Sequence, residues 1–323
     1  DRLNKYDGIK MVIYRHLNND PTSLPANNIM ALGEDADGAL WVGTRLGGLS
    51  KYDRARDSFT NFKHNNLDAH SISNDNVNAI LNDESGNLWV GTSNGLNLFN
   101  KKTGTFTRYF NKPGDPASLS NSLIYALFED NKHNLWVGTG NGLNLFDRKT
   151  GKCTWFIDKK NPGNEDSNII NAISADEHSN IWVGTYKGLS LINQADKTFS
   201  YYQIEADKNS AGGVNPVYKI IATAGNRFWL GTNTTLQYFD ANKRQLIPLN
   251  DHTNGENLMP DDGIYSLLED RDGILWIGTS SEGVTKYDTN LTIFPSFQAA
   301  VNHNPSAKNI VRALAEDKYG GLY

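Results

Sequence analysis

The hydrophobic and polar positions of this chain repeat as a unit of short alternating runs. In residues 76–109, an apolar run leads through a polar turn into Leu88–Thr92. The pair at 94–95 is Asn-Gly, which predicts a hairpin turn into a third run. A second polar turn at 101–104 leads into a fourth run. Each run has the length of a strand, so the unit predicts four antiparallel strands joined by tight turns.

The second run of the unit has the sequence Leu-Trp-Val-Gly-Thr or a close variant, and it returns at a nearly constant interval. Its successive tryptophans are 48, 47, 46, 47 and 47 residues apart. They are Trp41, Trp89, Trp136, Trp182, Trp229 and Trp276. A repeat of this length with several short strands is typical of propeller blades. We predict that the tryptophans fill the space between blades, and that the glycine two residues later admits a neighbouring side chain.

The two ends of the chain supply complementary parts of one further unit. Residues 3–7 and 12–15 match a third and a fourth strand, whereas 310–317 matches a first strand and 322–323 begins a second. We therefore predict an all-β fold: a seven-bladed β-propeller of four-stranded antiparallel blades, forming one domain over residues 1–323. A blade shared between the N- and C-termini would close the ring and remove the open sheet edges. An alternative is a chain cut from a longer array whose blades pair differently.

Composition excludes several partners and sites. The net charge is −5 and no run of Lys or Arg occurs, so we expect no nucleic acid and no anionic membrane surface as partner. Cys153 is the only cysteine, which excludes an internal disulfide and a cysteine-based metal site. No apolar run approaches the roughly 18 residues of a membrane span. Asp1 falls inside a repeat, so we expect the chain to have been trimmed from a longer protein.

The repeat resembles the two-component regulator propeller repeat, whose pattern is roughly Asn-x-Val-x-x-Ile-x-x-Asp-x-x-Gly-x-Leu-Trp-Ile-Gly-Thr-x-x-Gly-Leu-x-x-Tyr-Asp. The stretches that match most of it are 28–53, 76–100, 122–147 and 264–288. The stretch 217–240 departs most, because Thr223 replaces the turn aspartate and 233–236 lacks the turn glycine. We expect irregular hairpins in that blade.

This resemblance implies the periplasmic sensor region of a hybrid two-component system from Bacteroidetes-like bacteria. It further implies, as parts of the parent protein, a second propeller, a small β-sandwich, a membrane span and a sensor histidine kinase. Ligands of that group are commonly oligosaccharides from complex polysaccharides. No kinase module lies in this chain, so we expect neither enzymatic activity nor a cofactor within it.

One position of the predicted first strand varies in chemical type, while its neighbours are apolar or small. Aligned on the tryptophans, this second residue of the strand is Met30, Asn78, Tyr125, Asn171, Tyr218, Tyr265 or Arg312. Tyrosine can stack on a sugar face, and asparagine and arginine can bind hydroxyl groups. The turns after the second strand should surround this position and add Arg45, Tyr186 and Lys187. The alternative is that these residues only line a hydrated channel or contact a second domain.

Other signals do not indicate catalysis or metal binding. Asp35–Gly38 and Asp270–Gly273 resemble fragments of calcium loops but lack the remaining ligands, so we assign them to hairpin turns. The histidines lack metal-ligand spacing, although His16, His64 or His303 would be the candidates in a propeller lyase.

Three functions follow from the sequence. The first is an extracytoplasmic sensor of oligosaccharides. The second is a structural propeller that packs against a second propeller or another subunit, including a homodimer, with the ligand bound elsewhere. The third is a propeller lyase or a glycan-active enzyme.

Overall fold

The structure is a computed structural model that describes residues 2–158, 165–202, 204, 215–247, 262–288, 296–297 and 310–323. Its residues form two compact units. The first unit contains residues 1–157, 168–170 and 315–323, and the second contains 158–167 and 171–314. Apart from one short 3-10 helix at Glu165–Asn168, the regular elements of the described residues are strands.

The first unit contains one hairpin and three four-stranded antiparallel sheets. The hairpin pairs β1 (Leu3–Tyr6) with β2 (Met11–Tyr14). The first sheet consists of β3 (Ile29–Glu34), β4 (Leu40–Thr44), β5 (Leu49–Asp53) and β6 (Ser58–Phe62). The second consists of β7 (Val77–Asn82), β8 (Leu88–Thr92), β9 (Gly95–Asn100) and β10 (Thr105–Tyr109). The third consists of β11 (Ile124–Glu129), β12 (Leu135–Thr139), β13 (Gly142–Asp147) and β14 (Lys152–Phe156).

The strands that follow form three more sheets of the same order, and all but Ile170 of them lie in the second unit. One consists of β15 (Ile170–Ala175), β16 (Ile181–Thr185), β17 (Gly188–Asn193) and β18 (Thr198–Tyr202). The next consists of β19 (Val217–Thr223), β20 (Arg227–Thr232), β21 (Leu236–Asp240) and β22 (Gln245–Ile247). The last consists of β23 (Ile264–Glu269), β24 (Ile274–Thr279), β25 (Val284–Asp288) and β26 (Ser296–Phe297). Each sheet is one blade, in the strand order that the sequence predicts.

The prediction of four-stranded antiparallel blades is confirmed, but the number of such blades differs from the prediction. The described residues form six four-stranded sheets rather than seven. Among the described residues, the N-terminal hairpin and the C-terminal segment pair through an isolated bridge, in which Tyr6 and Leu322 exchange backbone hydrogen bonds of 2.8 and 3.0 Å. Ring closure and the single-domain interpretation stay predictions.

Neighbouring blades interlock through the glycine of each Trp-x-Gly sequence. A Cβ atom on Gly91 would lie 2.6 Å from Cγ2 of Ile124, the first residue of the next blade's first strand. The same relation joins Gly43 to Val77, Gly184 to Val217, Gly231 to Ile264 and Gly278 to Val311. The predicted reason for these glycines, close approach of a neighbouring side chain, is therefore confirmed.

The tryptophans are anchored by the turn aspartates. Trp136 is fully buried, and its indole N–H donates to Oδ2 of Asp130 at 2.8 Å. The other carboxylate oxygen accepts from the backbone N–H groups of Lys132 and Asn134, both at 2.9 Å. The same indole bond joins Trp41 to Asp35, Trp89 to Asp83, Trp182 to Asp176 and Trp276 to Asp270. These aspartates therefore serve the hairpins, as predicted.

The blade with the divergent sequence still forms its hairpins. Thr223 pairs with Arg227 in the first hairpin, where the other blades carry the aspartate. In the second turn, the hydroxyl of Thr232 donates to the carbonyl oxygen of Thr235 at 2.7 Å. β21 begins at Leu236, which pairs with Gly231, and β25 begins at the same position of the ladder although a glycine precedes it. The missing aspartate and glycine therefore do not prevent either hairpin from forming.

Candidate functional site

The variable second residue of the first strand lies in a β-bulge. In the β19–β20 pair, Val217 is opposite Thr232 and Lys219 is opposite Gly231, which leaves Tyr218 without a cross-strand partner. The same register shift occurs at Met30, Asn78, Tyr125 and Tyr265. A bulge bends the strand and changes the direction of the extra side chain. The bulge explains why this position can vary without disturbing the ladder.

Four of the predicted site residues of the second unit lie in one row. Tyr186 follows β16 and makes an edge contact with Tyr218, at 6.0 Å between ring centroids. The rings of Tyr218 and Tyr265 are stacked, with a centroid distance of 5.0 Å. The guanidinium carbon of Arg312 lies 5.7 Å from the Tyr265 centroid. We call Tyr186, Tyr218, Tyr265 and Arg312 the tyrosine–arginine row.

The row combines aromatic faces with hydrogen-bonding groups. Burial, together with Tyr265 and Tyr186 nearby, raises the pKa of Tyr218 to about 12. Its hydroxyl therefore stays protonated at neutral pH, and it donates to Oδ1 of Asn233 at 3.2 Å. Tyr186 is 38% exposed, so one end of the row is open to solvent.

The two asparagines at the second position serve the contact between blades. Nδ2 of Asn78 donates to the carbonyl oxygen of Ile124 at 2.9 Å, and Nδ2 of Asn171 donates to that of Val217 at 3.4 Å. Each acceptor belongs to the first strand of the following blade. The amide nitrogens of these two predicted site residues are therefore engaged within the fold.

The remaining predicted site residues lie apart from the row or in the other unit. Tyr125 is half-buried at the bulge of β11, and Arg45 is exposed in the turn after β4, both in the first unit. The amine of Lys187 lies 4.8 Å from the ring centroid of Tyr201, which is on the fourth strand of its own blade. Lys187 thus contacts its own blade rather than the row.

Lys219 is a residue that the sequence analysis missed. The neighbours of the variable position were expected to be apolar or small, and that expectation is wrong here. The equivalent residues are Ala31, Ala79, Ala126, Ala172, Ser266 and Ala313. The Lys219 side chain is exposed to water, yet the protein atoms around its amine lower the pKa of that amine. Comparison of the third residue across the repeats would have found it.

Two histidines considered for catalysis hold their own loops. Nδ1 of His16 lies 2.7 Å from the carbonyl oxygen of Leu24, and Nδ1 of His64 lies 2.7 Å from that of Ile72. In the next blade Asn111 makes the equivalent contact. His303 lies outside the described residues. Within the described part of the chain, no three His, Cys, Asp or Glu side chains cluster so that they could hold a metal ion.

A concavity of about 690 Å³ lies at the opposite end of β19 from the bulge. It is lined by 221–224, by 268–270 and by Glu177. Its charged lining residues are carboxylates, and Thr223 borders it in place of the turn aspartate. It includes none of the row, so we do not assign it to the candidate site.

The comparisons with known proteins agree with the repeat analysis. Residues 23–45, 71–94, 118–141 and 258–281 match the family model described as "Two component regulator propeller". No curated protein sequence matches the chain. None of the described residues belongs to a helix that is both long and apolar enough to cross a membrane.

Solved structures share the fold at low sequence identity. One is the extracellular domain of the putative hybrid two component system BT3049 from B. thetaiotaomicron, with a TM-score of 0.74 and 23% identity over 91% of this chain and 38% of that one. The corresponding domain of BT4673 gives a TM-score of 0.56 and 20% identity over 97% of this chain and 40% of that one. This chain therefore spans well under half the length of either. Virginiamycin B lyase from Staphylococcus aureus gives a TM-score of 0.66 and 14% identity over 96% of both chains.

Proposed function

We propose that this chain, four stretches of which match the two-component regulator propeller family model, is the extracytoplasmic sensing part of a hybrid two-component system that responds to oligosaccharides. The observation that carries the proposal is the tyrosine–arginine row, in which the bulges of two successive blades hold Tyr218 and Tyr265 side by side. The fold shared with extracellular domains of such systems supports a sensor in the periplasm.

The row has the chemistry that sugar binding requires. Tyr186, which is 38% exposed, offers apolar ring surface against which the C–H face of a pyranose can pack, whereas Tyr218 and Tyr265 each cover one face of the other. The Arg312 guanidinium provides hydrogen-bond donors for ring substituents, and the Tyr218 hydroxyl, which donates to Asn233, can accept a hydrogen bond from one. Loops and bulges on a rigid sheet scaffold are common positions for binding residues.

Signalling would then require a change outside a single rigid blade. Ligand would favour one arrangement of this chain relative to the other domains of the parent sensor, namely a second propeller, a β-sandwich and a membrane-anchored kinase. Small-angle scattering of the full sensor with and without ligand tests this step. Unchanged domain arrangement and unchanged dimerisation would overturn it.

A thermal-shift screen against plant and host oligosaccharides tests binding itself. A ligand near 100 times its Kd should add about 2.7 kcal/mol to the free energy of unfolding. The variants Tyr218→Ala and Tyr265→Ala should lose the shift, and Tyr218→Phe should retain most of it because the ring remains. Tyr319→Ala, which removes an exposed tyrosine outside the row, is the matched control. Binding that survives both alanine variants would refute the assignment to the row.

A second candidate is a contact surface for another domain or subunit, and one observation favours it. Ile9, Met11, Ile13 and Leu17 are 93, 47, 44 and 49% exposed, and they belong to one short segment around β2. Contiguous exposed apolar side chains often mark interaction surfaces. The variant Met11→Lys/Ile13→Lys should abolish self-association in light scattering if this surface joins two copies.

A further inference from the structure

We infer that the oligosaccharide recognised by the tyrosine–arginine row carries anionic groups, carboxylates or sulfates, and that Lys219 and Arg312 bind them. This inference rests on the proposed function and adds the chemical class of the ligand. It starts from the one repeat in which a long cationic side chain replaces the alanine or serine after the bulge.

The bulge places Lys219 on the same side of the strand as Tyr218. In regular alternation, Val217 and Lys219 would share a face. Instead, Val217 and Ile220 are both buried in the same core cluster, while Tyr218 is half-buried and Lys219 is exposed. The two residues between the core positions therefore both face away from the core. Lys219 therefore comes directly after Tyr218, one of the aromatic residues of the row.

Neither cation of this region has an anionic partner within the fold. Among the described residues, no carboxylate lies within ion-pair distance of the Lys219 amine or of the Arg312 guanidinium. Nε of Arg312 is buried and lacks a hydrogen-bond partner in that part of the chain. A buried donor without a partner is costly, and an anion bound there would satisfy it.

Charge complementarity here is local rather than a property of the whole protein. The chain has a net charge of −5, so a general attraction for anions is not expected. A ligand carboxylate or sulfate would meet uncompensated positive charge at Lys219, whereas Lys243 already has the Asp240 carboxylate 3.8 Å from its amine.

The test uses calorimetry with tetragalacturonate, its fully methyl-esterified neutral form, and a sulfated galactan tetrasaccharide with its desulfated form. We expect one acidic member to bind, its neutral form to bind at least about tenfold more weakly, and binding to weaken as salt rises. Whichever acidic probe binds distinguishes carboxylate from sulfate.

Two variants decide whether Lys219 and Arg312 carry the effect. Lys219→Ala introduces the alanine that five of the six equivalent positions carry and should fold; it should weaken acidic-probe binding about tenfold or more, as should Arg312→Gln. Lys243→Ala is the matched control from the same blade and should bind unchanged. Binding of the neutral forms alone, or acidic binding unaffected by Lys219→Ala, would overturn the inference and leave the proposed function standing. No binding of any of the four probes would overturn both.

Discussion

Removal of the Asp130 carboxylate should show how much the turn aspartates stabilise the blades. In Asp130→Ala, the fully buried indole N–H of Trp136 loses its acceptor, at a cost of about 1–3 kcal/mol. Two backbone N–H groups, of Lys132 and Asn134, lose a charged acceptor as well, at about 1 kcal/mol each. We therefore expect a loss of about 4 kcal/mol in the free energy of unfolding, measured by urea denaturation with tryptophan fluorescence.

A double-mutant cycle separates the indole bond from the rest. Trp136→Phe removes the donor, so the double variant with Asp130→Ala should cost less than the sum of the single variants, by about 1 kcal/mol or more. Asp37 lies in an equivalent turn, but its side chain is 73% exposed. Asp37→Ala should therefore change the urea midpoint little. A cost for Asp130→Ala no larger than that of Asp37→Ala, or strict additivity in the cycle, would refute the reasoning.

Three further predictions concern the same architecture. Gly91→Ala should cost about 1–3 kcal/mol in urea unfolding, because its Cβ would lie 2.6 Å from Ile124 Cγ2; Ile124→Ala should relieve part of this cost, and Gly140→Ala, with its nearest atom at 3.5 Å, should be neutral. Burial alone raises the pKa of the turn aspartates, but the hydrogen bonds from tryptophan and backbone outweigh it, and the net pKa is lowered in Asp35, Asp83, Asp130 and Asp176. Their contribution is therefore fully present above the unfolded pKa of about 3.9 and lost as the pH falls through the lower folded values; thermal scans from pH 6 to pH 2 should show this loss, with a shallower acid limb in Asp130→Ala. His64→Asn should unfold at the wild-type urea midpoint, because Asn111 makes the same loop contact, whereas His64→Ala should cost about 1 kcal/mol; equal midpoints for the two variants would contradict this.

The strands, the blade order and the role of the glycine two residues after each repeated tryptophan could be predicted, because each depends on the local sequence pattern and on short turns. An aspartate also lies six residues before each of the regularly spaced tryptophans except Trp229, but the sequence alone does not show that the turn brings this aspartate to the indole N–H. The row was only partly predictable. Tyr218 and Tyr265 were singled out, but the bulge that aims them depends on the register of two strands. Lys219 was missed because the bulge breaks the alternation that a pattern analysis assumes.

The repeated bulge also affects how such a chain can change over evolutionary time. The residue at the bulge can be exchanged without changing the register of the ladder, as the variety of Met30, Asn78, Tyr125, Tyr218 and Tyr265 illustrates. The buried residues on either side, such as Val217 and Ile220, carry the packing instead. Selection for a new ligand can therefore act one codon at a time on each blade, except where the side chain also joins two blades, as those of Asn78 and Asn171 do.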